Sequence, residues 1–183
     1  HRKAIVVSNH LSVFDYIPMI FVFLTRVTRC VTAEVLFSKN FFLSLFLRLL
    51  GCMKVDRAAH DLSFEETAFR FLDKNGTVVF YPEGRVPDRE GDVAPLEFKT
   101  TFVYMALKSG APLIPYYCNG KVFSKERCKV IIGKPINVKE LYDENLSEKE
   151  NRRKIADLVR DKIIFLREEM ERQDAEEGKG LSE

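Results

Sequence analysis

Asn9-His10, followed by Asp15, stands directly after the apolar run at residues 4–7. An imidazole can take up and return a proton near neutral pH, provided an acceptor on its other ring nitrogen fixes the tautomer. Asp15 can be that acceptor if His10 lies in a loop and the residues from 11 onward open a helix, folding the carboxylate back toward the ring. The same two residues also read as a loop histidine beside a first-turn carboxylate favoured by the helix dipole. Farther along come Arg57, then Pro82-Glu83-Gly84-Arg85. Two guanidinium groups beside a glycine turn form a cradle for phosphate, although each alone also fits a surface ion pair. Glu83 can bind a hydroxyl, orient an arginine, or simply face solvent.

Several chemistries are disfavoured by the motifs present. There is no G-x-S-x-G elbow, and neither Ser8 nor Ser12 has a context that aims it at His10. Gly120-Lys121 and Gly133-Lys134 lack the glycine spacing and the Ser/Thr of a phosphate-binding loop. Cys30, Cys52, Cys118 and Cys128 show no C-x-x-C spacing, so no zinc signature or disulfide framework is expected and no metal site is assigned.

The elements that must position these residues alternate along the chain. Strands are expected at 2–7, 30–34, 53–56, 77–81, 113–117 and 129–132, and helices at 13–24, 40–50, 63–74 and 100–109. Ser63 and Glu66 have capping-box spacing, and Asn75-Gly76 closes that helix. A long amphipathic helix follows at 148–173, carried by Ile155, Leu158, Val159, Ile163, Leu166 and Met170. This alternation predicts an α/β fold with a mainly parallel mixed sheet covered by helices. Ligands of such sheets lie outside the carboxyl ends of the strands, where the clusters at 9–10, 56–57, 82–85 and Pro115 are expected to converge.

With 183 residues, 46% of them hydrophobic, the chain suits one domain, taken as residues 1–173 with a disordered acidic tail at 174–183. The tail carries a net −3 and residues 1–60 a net +5, an excess that favours an anionic partner. No signal peptide is visible, and His1 directly precedes a strand-like run, so the natural protein is expected to extend upstream. Residues 41–50, Phe-Phe-Leu-Ser-Leu-Phe-Leu-Arg-Leu-Leu, leave only Ser44 and Arg48 as a polar stripe. Such a segment is too short to span a bilayer, which takes about 20 residues. It fits either a buried core helix or an interfacial one that presents Phe41, Phe42, Phe46 and Arg48 to lipid, with Arg26, Arg29, Lys39 and Lys54 meeting phosphates.

Taken together, four motifs in order resemble those of the glycerolipid acyltransferase family, typified by 1-acyl-sn-glycerol-3-phosphate acyltransferases. Asn9-His10 with Asp15 matches N-H-x-x-x-x-D, and residues 51–57, ending in Arg57, match the second motif. Tyr81-Pro-Glu-Gly84 resembles the third and Ala111-Pro-Leu-Ile-Pro115 the fourth, the whole spanning about residues 3–140. In the third motif Arg85 follows Gly84 directly, where the family usually inserts a threonine.

The resemblance implies transfer of a fatty acyl group from acyl-CoA or acyl-carrier protein to the free hydroxyl of lysophosphatidic acid, giving phosphatidic acid. It implies His10 as base, Asp15 as its partner, and Arg57, Glu83, Gly84 and Arg85, with a lesser role for Lys99, around the acceptor. No resident cofactor is implied, the acyl thioester being a substrate, and no nucleic acid. The expected setting is the cytoplasmic face of a membrane, reached peripherally or through an upstream anchor. Alternatives are a different lyso-lipid acceptor, a non-catalytic lipid-binding module with His10 incidental, and a phosphate-monoester hydrolase.

Overall fold

The computed structural model describes residues 3–12, 14–33, 41–55, 63–84 and 95–180. Among them, strands β1 (Ala4–Ser8), β2 (Thr28–Ala33), β3 (Met53–Val55), β4 (Thr77–Phe80), β5 (Leu113–Cys118) and β6 (Val130–Ile132) form one sheet in the order β3-β2-β4-β1-β5-β6. Pairing is parallel except for β5 against β6. The fold is thus the α/β fold with a mainly parallel mixed sheet that the alternating pattern predicts. Helices α1 (Tyr16–Val22), α2 (Phe41–Leu49), α3 (Ser63–Asp73), α4 (Thr101–Ser109) and α5 (Glu148–Gly180) alternate with the strands.

β1 and β4 are buried throughout, and apolar but for Ser8 and Thr77 at their ends, because the sheet is covered on both faces and both sides of each strand are removed from water. Ile5, Val7, Val78, Phe80 and Leu113 face a core completed by Leu72 of α3, Phe102 and Met105 of α4, and Ile155, Val159 and Ile163 of α5. The alternate residues Val6, Val79, Ile114 and Tyr116 face Tyr16 and Met19 of α1. The centre of the sheet is β1, flanked by β4 and β5, and the chain leaves it at a point where strand order reverses. That is the crevice at which a ligand is expected.

Two expectations are corrected here. Residues 174–180 are helical rather than a disordered tail, because Lys129 Nζ bonds Asp174 Oδ1 at 2.5 Å and Glu177 Oε2 at 2.9 Å, tethering the acidic end of α5 beside β6. Pro115 does not follow its strand but lies within β5, in register with Val7, and its carbonyl accepts from Gly133 N just past the end of β6. A capping box starts α5: Glu150 Oε2 accepts from Ser147 N at 2.9 Å, and Ser147 Oγ accepts from Glu150 N at 3.3 Å.

Candidate active site

The loop leaving β1 is gripped from both neighbouring strands. Asn9, buried, donates from Nδ2 to Cys118 O at 2.9 Å and accepts at Oδ1 from Cys118 N at 3.0 Å, extending the β1–β5 pairing by one amide-like rung. On the other side, His10 N donates to Glu83 Oε1 at 2.9 Å, just beyond β4. Glu83 Oε2 accepts from Leu96 N at 2.9 Å. The loop that carries His10 is therefore fixed by bonds spanning 73 positions from His10 and 109 from Asn9.

Asp15 closes a tight turn over the same loop. Its Oδ2 accepts from Leu11 N at 2.7 Å and Ser12 N at 2.8 Å and lies 3.2 Å from His10 Nδ1. The helix begins at Tyr16, so Asp15 is its N-cap by position, yet its carboxylate points backward into the loop and makes no cap bond. The five-residue spacing thus works as a closed turn rather than through a helical first turn beginning at residue 11. A carboxylate oxygen that already takes two N–H donors can only accept, which places the imidazole proton on Nδ1 and leaves Nε2 as the basic nitrogen. The Tyr81 ring, 4.6 Å from the imidazole centroid and tilted by 30°, fixes the ring plane. Burial raises the Tyr81 phenol well above its ordinary range and so keeps it neutral.

Both nearby serines are committed elsewhere. Ser8 Oγ donates to Asn9 O at 3.0 Å, and Ser12 Oγ accepts from Phe14 N at 3.2 Å. Neither is bonded to His10, so among the described residues the arrangement is a base with its partner and no attached nucleophile. It can deprotonate a bound hydroxyl directly.

Of the remaining sequence-predicted site residues, Arg57 and Arg85 lie outside the described residues. Glu83 is buried rather than solvent-facing, and its two oxygens accept from the backbone amides of His10 and Leu96, so it helps hold the His10 loop. Gly84 takes φ +73°, and a methyl group there would fall 3.3 Å from Lys99 Cε, so the turn and the exposed Lys99 side chain share this rim. On α2, Phe41, Phe42, Leu45, Phe46 and Leu49 are exposed, which corrects the alternative of a buried core helix. Leu50 and Cys52, just past its end, are what pack inward.

Sequence reasoning missed Arg160. From α5 its Nε donates to Pro95 O at 2.8 Å and lies 3.1 Å from Leu96 O, holding the segment whose Leu96 N–H meets Glu83. Arg153 donates to Phe98 O at 3.1 Å in the same role. Neither has a local motif; both are merely polar positions on an amphipathic helix until the tertiary fold lays α5 against residues 95–98.

Burial raises the Glu83 carboxyl above the ordinary glutamate range, opposed by the N–H donors of Leu96 and His10. Between the unfolded and the raised folded value, the native state binds the more protons, so this group's contribution to stability falls as pH rises through that window. Glu83→Gln removes the titration. Its stability relative to the parent protein should therefore rise as pH increases across the weakly acidic range, as read by urea unfolding at a series of pH values; a constant difference would contradict the assignment.

The sequence profile of the Acyltransferase family matches residues 1–119. A curated 1-acyl-sn-glycerol-3-phosphate acyltransferase from Limnanthes alba is 30% identical over 122 residues, covering 65% of this chain. The chain spans 42% of that relative's length. The crystal structure of the 1-acyl-sn-glycerophosphate (LPA) acyltransferase PlsC from Thermotoga maritima superposes with a TM-score of 0.62 at 26% identity, covering 91% of this chain and 67% of that one. With the profile matched over more than half of its length, and with a solved acyltransferase sharing its fold, the chain belongs to the Acyltransferase family.

Proposed function

We propose that the protein transfers a fatty acyl group from a thioester, acyl-CoA or acyl-carrier protein, to the free hydroxyl of lysophosphatidic acid. The observation that carries this reading is the His10–Asp15 pair at the switch point of the sheet, with Nδ1 engaged at 3.2 Å and no serine attached. The activities of the two acyltransferase relatives support the same acceptor class.

In this reaction the acceptor hydroxyl attacks the thioester carbonyl while its proton passes to His10 Nε2, forming the new C–O bond. Collapse of the tetrahedral adduct breaks the C–S bond, and the departing thiolate takes the proton from the imidazolium, leaving an ester and a free thiol. Asp15 stabilises the transient positive charge on the ring and holds its orientation. Because no covalent enzyme intermediate forms, much of the rate gain comes from holding two substrates in contact, worth several kcal/mol of barrier. Arg57 and Arg85 are the proposed ligands of the acceptor phosphate, with Lys99 at the Gly84 rim contributing charge.

Incubating the protein with lysophosphatidic acid and either labelled donor should yield labelled phosphatidic acid. A folded protein that transfers from neither donor would overturn the reading; transfer only to another lyso-lipid would reassign the acceptor.

Substrates of this kind reside in bilayers, and the exposed apolar face of α2 is proposed to meet the membrane on its cytoplasmic side. Among the described residues no helix is long and apolar enough to cross a membrane. A face-on contact fits the nine residues of α2 instead. Phe42→Ser/Phe46→Ser should weaken vesicle binding about tenfold or more, since each buried phenyl contributes roughly 1.5–3 kcal/mol. Vesicle flotation reads the loss, and circular dichroism should stay unchanged because Phe42 is 77% exposed and Phe46 46%.

A further inference from the structure

At the end of the sheet opposite His10 lies a cleft of about 700 Å³ whose lining includes Arg26, Arg29, Arg70 and Lys74 and, among the described residues, no carboxylate. The fold assembles this charge from two separate segments. β2 pairs with β4 from Thr28 opposite Thr77, and Thr77 N donates to Val27 O, which sets the segment before β2 beside the turn that ends α3. Arg70 and Lys74 come from the last turn of α3 and the residues after it.

The cleft is shaped as well as charged. The Arg29 guanidinium sits 4.7 Å over the Phe71 ring, a stacking that holds it in place. Phe71 in turn lies against Gly76, where a methyl group would fall 2.4 Å from the ring, so only glycine lets the ring form this floor. Arg70 pairs with Glu66 one turn earlier on the same helix, with both side chains mostly exposed. Such a pair is worth only a few tenths of a kcal/mol and yields readily to a stronger anion.

Position separates this cleft from the reacting centre. Ala4 is in register with Thr77 at this edge, and His10 lies six residues farther along, roughly 20 Å at about 3.3 Å per residue. The phosphate of a lysophosphatidic acid is two carbons from its free hydroxyl and cannot occupy the cleft while that hydroxyl meets His10. What does stand beside it is apolar surface: Val27 lines the cleft, and Val27, Leu24 and Phe21 are all exposed. The end of α2 adjoins it too, since Gly51 lies against the Arg29 side chain and Leu50 O is 3.3 Å from the Tyr16 hydroxyl.

We propose that this cleft is a second phosphate site, which seats the headgroup phosphate of an anionic membrane lipid while the neighbouring apolar side chains enter the bilayer. The inference rests on the membrane contact proposed above and adds a defined receptor to it. Four cations around one pocket suit a multiply charged phosphate, and the flanking apolar residues favour a lipid over a soluble source.

Flotation with phosphatidylcholine vesicles, with and without about a fifth of phosphatidic acid, tests it on four proteins: the parent, Arg70→Glu/Lys74→Glu, Phe42→Ser/Phe46→Ser, and Lys149→Glu/Lys162→Glu. The last makes the same charge change at exposed positions of α5. The acidic lipid should strengthen parent binding at least tenfold. The cleft variant should lose most of that gain and bind neutral vesicles normally, while the α5 variant keeps it within about twofold. Retention of the gain by the cleft variant, or an equal loss in the α5 variant, overturns the site. Arg70→Gln/Lys74→Gln carries the same expectation should charge reversal disturb α3.

The phenylalanine variant should lose binding to both vesicle types. If it binds neutral vesicles normally, the α2 contact fails, while the acid-dependent gain still reports on the cleft alone. Coenzyme A and inorganic pyrophosphate, titrated calorimetrically, distinguish a soluble source of phosphate. Weak binding unaffected by the Arg70/Lys74 changes is expected; tight binding abolished by them would assign the cleft to a soluble ligand and overturn the lipid site.

Discussion

His10→Ala is expected to lower the rate constant for acyl transfer by about 10³-fold, the middle of the range for a positioned base, while the protein stays folded. The separation follows from how the residue is held. Its backbone N–H, not its ring, bonds Glu83, and alanine retains that donor. Among the described residues the ring contributes its contact with Tyr81 and its bond to Asp15, and its side chain is 21% exposed, so its removal leaves little cavity. Asp15 keeps the amides of Leu11 and Ser12. Because the base acts as the hydroxyl attacks, the loss should appear in kcat with KM for the acceptor little changed. Steady-state kinetics with labelled acyl donor measure this, and a folded variant turning over within about tenfold of the parent would remove His10 from the role of base.

Asp15 carries two jobs that two substitutions should pull apart. Asp15→Ala leaves the Leu11 and Ser12 amides without their acceptor, and orphaned donors of this kind cost about 1–3 kcal/mol each. A loss of roughly 2–4 kcal/mol is expected, a large share of the total stability of a domain. Asp15→Asn can keep an oxygen toward both amides, so its stability loss should be clearly smaller. Its amide nitrogen then occupies the place of Oδ1, which is buried without a hydrogen-bond partner among the described residues, so the exchange is not free.

Activity should nevertheless fall about 10²-fold or more in Asp15→Asn, since a neutral amide no longer stabilises the imidazolium. The double variant His10→Ala/Asp15→Asn should be no slower than His10→Ala alone, because a partner without its base has nothing to act on. Chemical denaturation and turnover measured on the same preparations separate the two effects. Asp15→Asn with parental activity would show that the carboxylate serves only the turn.

The architecture was legible because its signals are local. Helical and strand periodicities, the glycine ends at Gly76 and Gly110, and continuous apolar strands each arise from steric and solvation effects within a few residues. The end of α5 departs from expectation for the opposite reason: an acidic, glycine-containing stretch has weak helix signals of its own, and Lys129, 45 and 48 residues from Asp174 and Glu177, organises it. Pro115 belongs to the strand expected at 113–117, and the register with Val7 and the bond from Gly133 keep it inside the sheet rather than at the carboxyl-end rim.

The site divides along the same line. His10 and Asp15 are joined by a turn of six residues, so their pairing is written in the sequence, even though the helical start that seemed to bring it about lies at Tyr16. Residue types alone left Glu83 open among hydroxyl, arginine and solvent. Only the placing of β4 beside β1 brings its carboxylate to His10 N, and only α5 packing on residues 95–98 supplies the Arg160 support behind it. The basic cleft is likewise silent in the sequence, where Arg26 and Arg29 stand more than 40 residues from Arg70 and Lys74 until the β2–β4 pairing joins them. Short-range turns and periodicities are decided by neighbours along the chain. Strand order is decided by which arrangement buries both faces of the sheet at once, and that is a property of the whole fold.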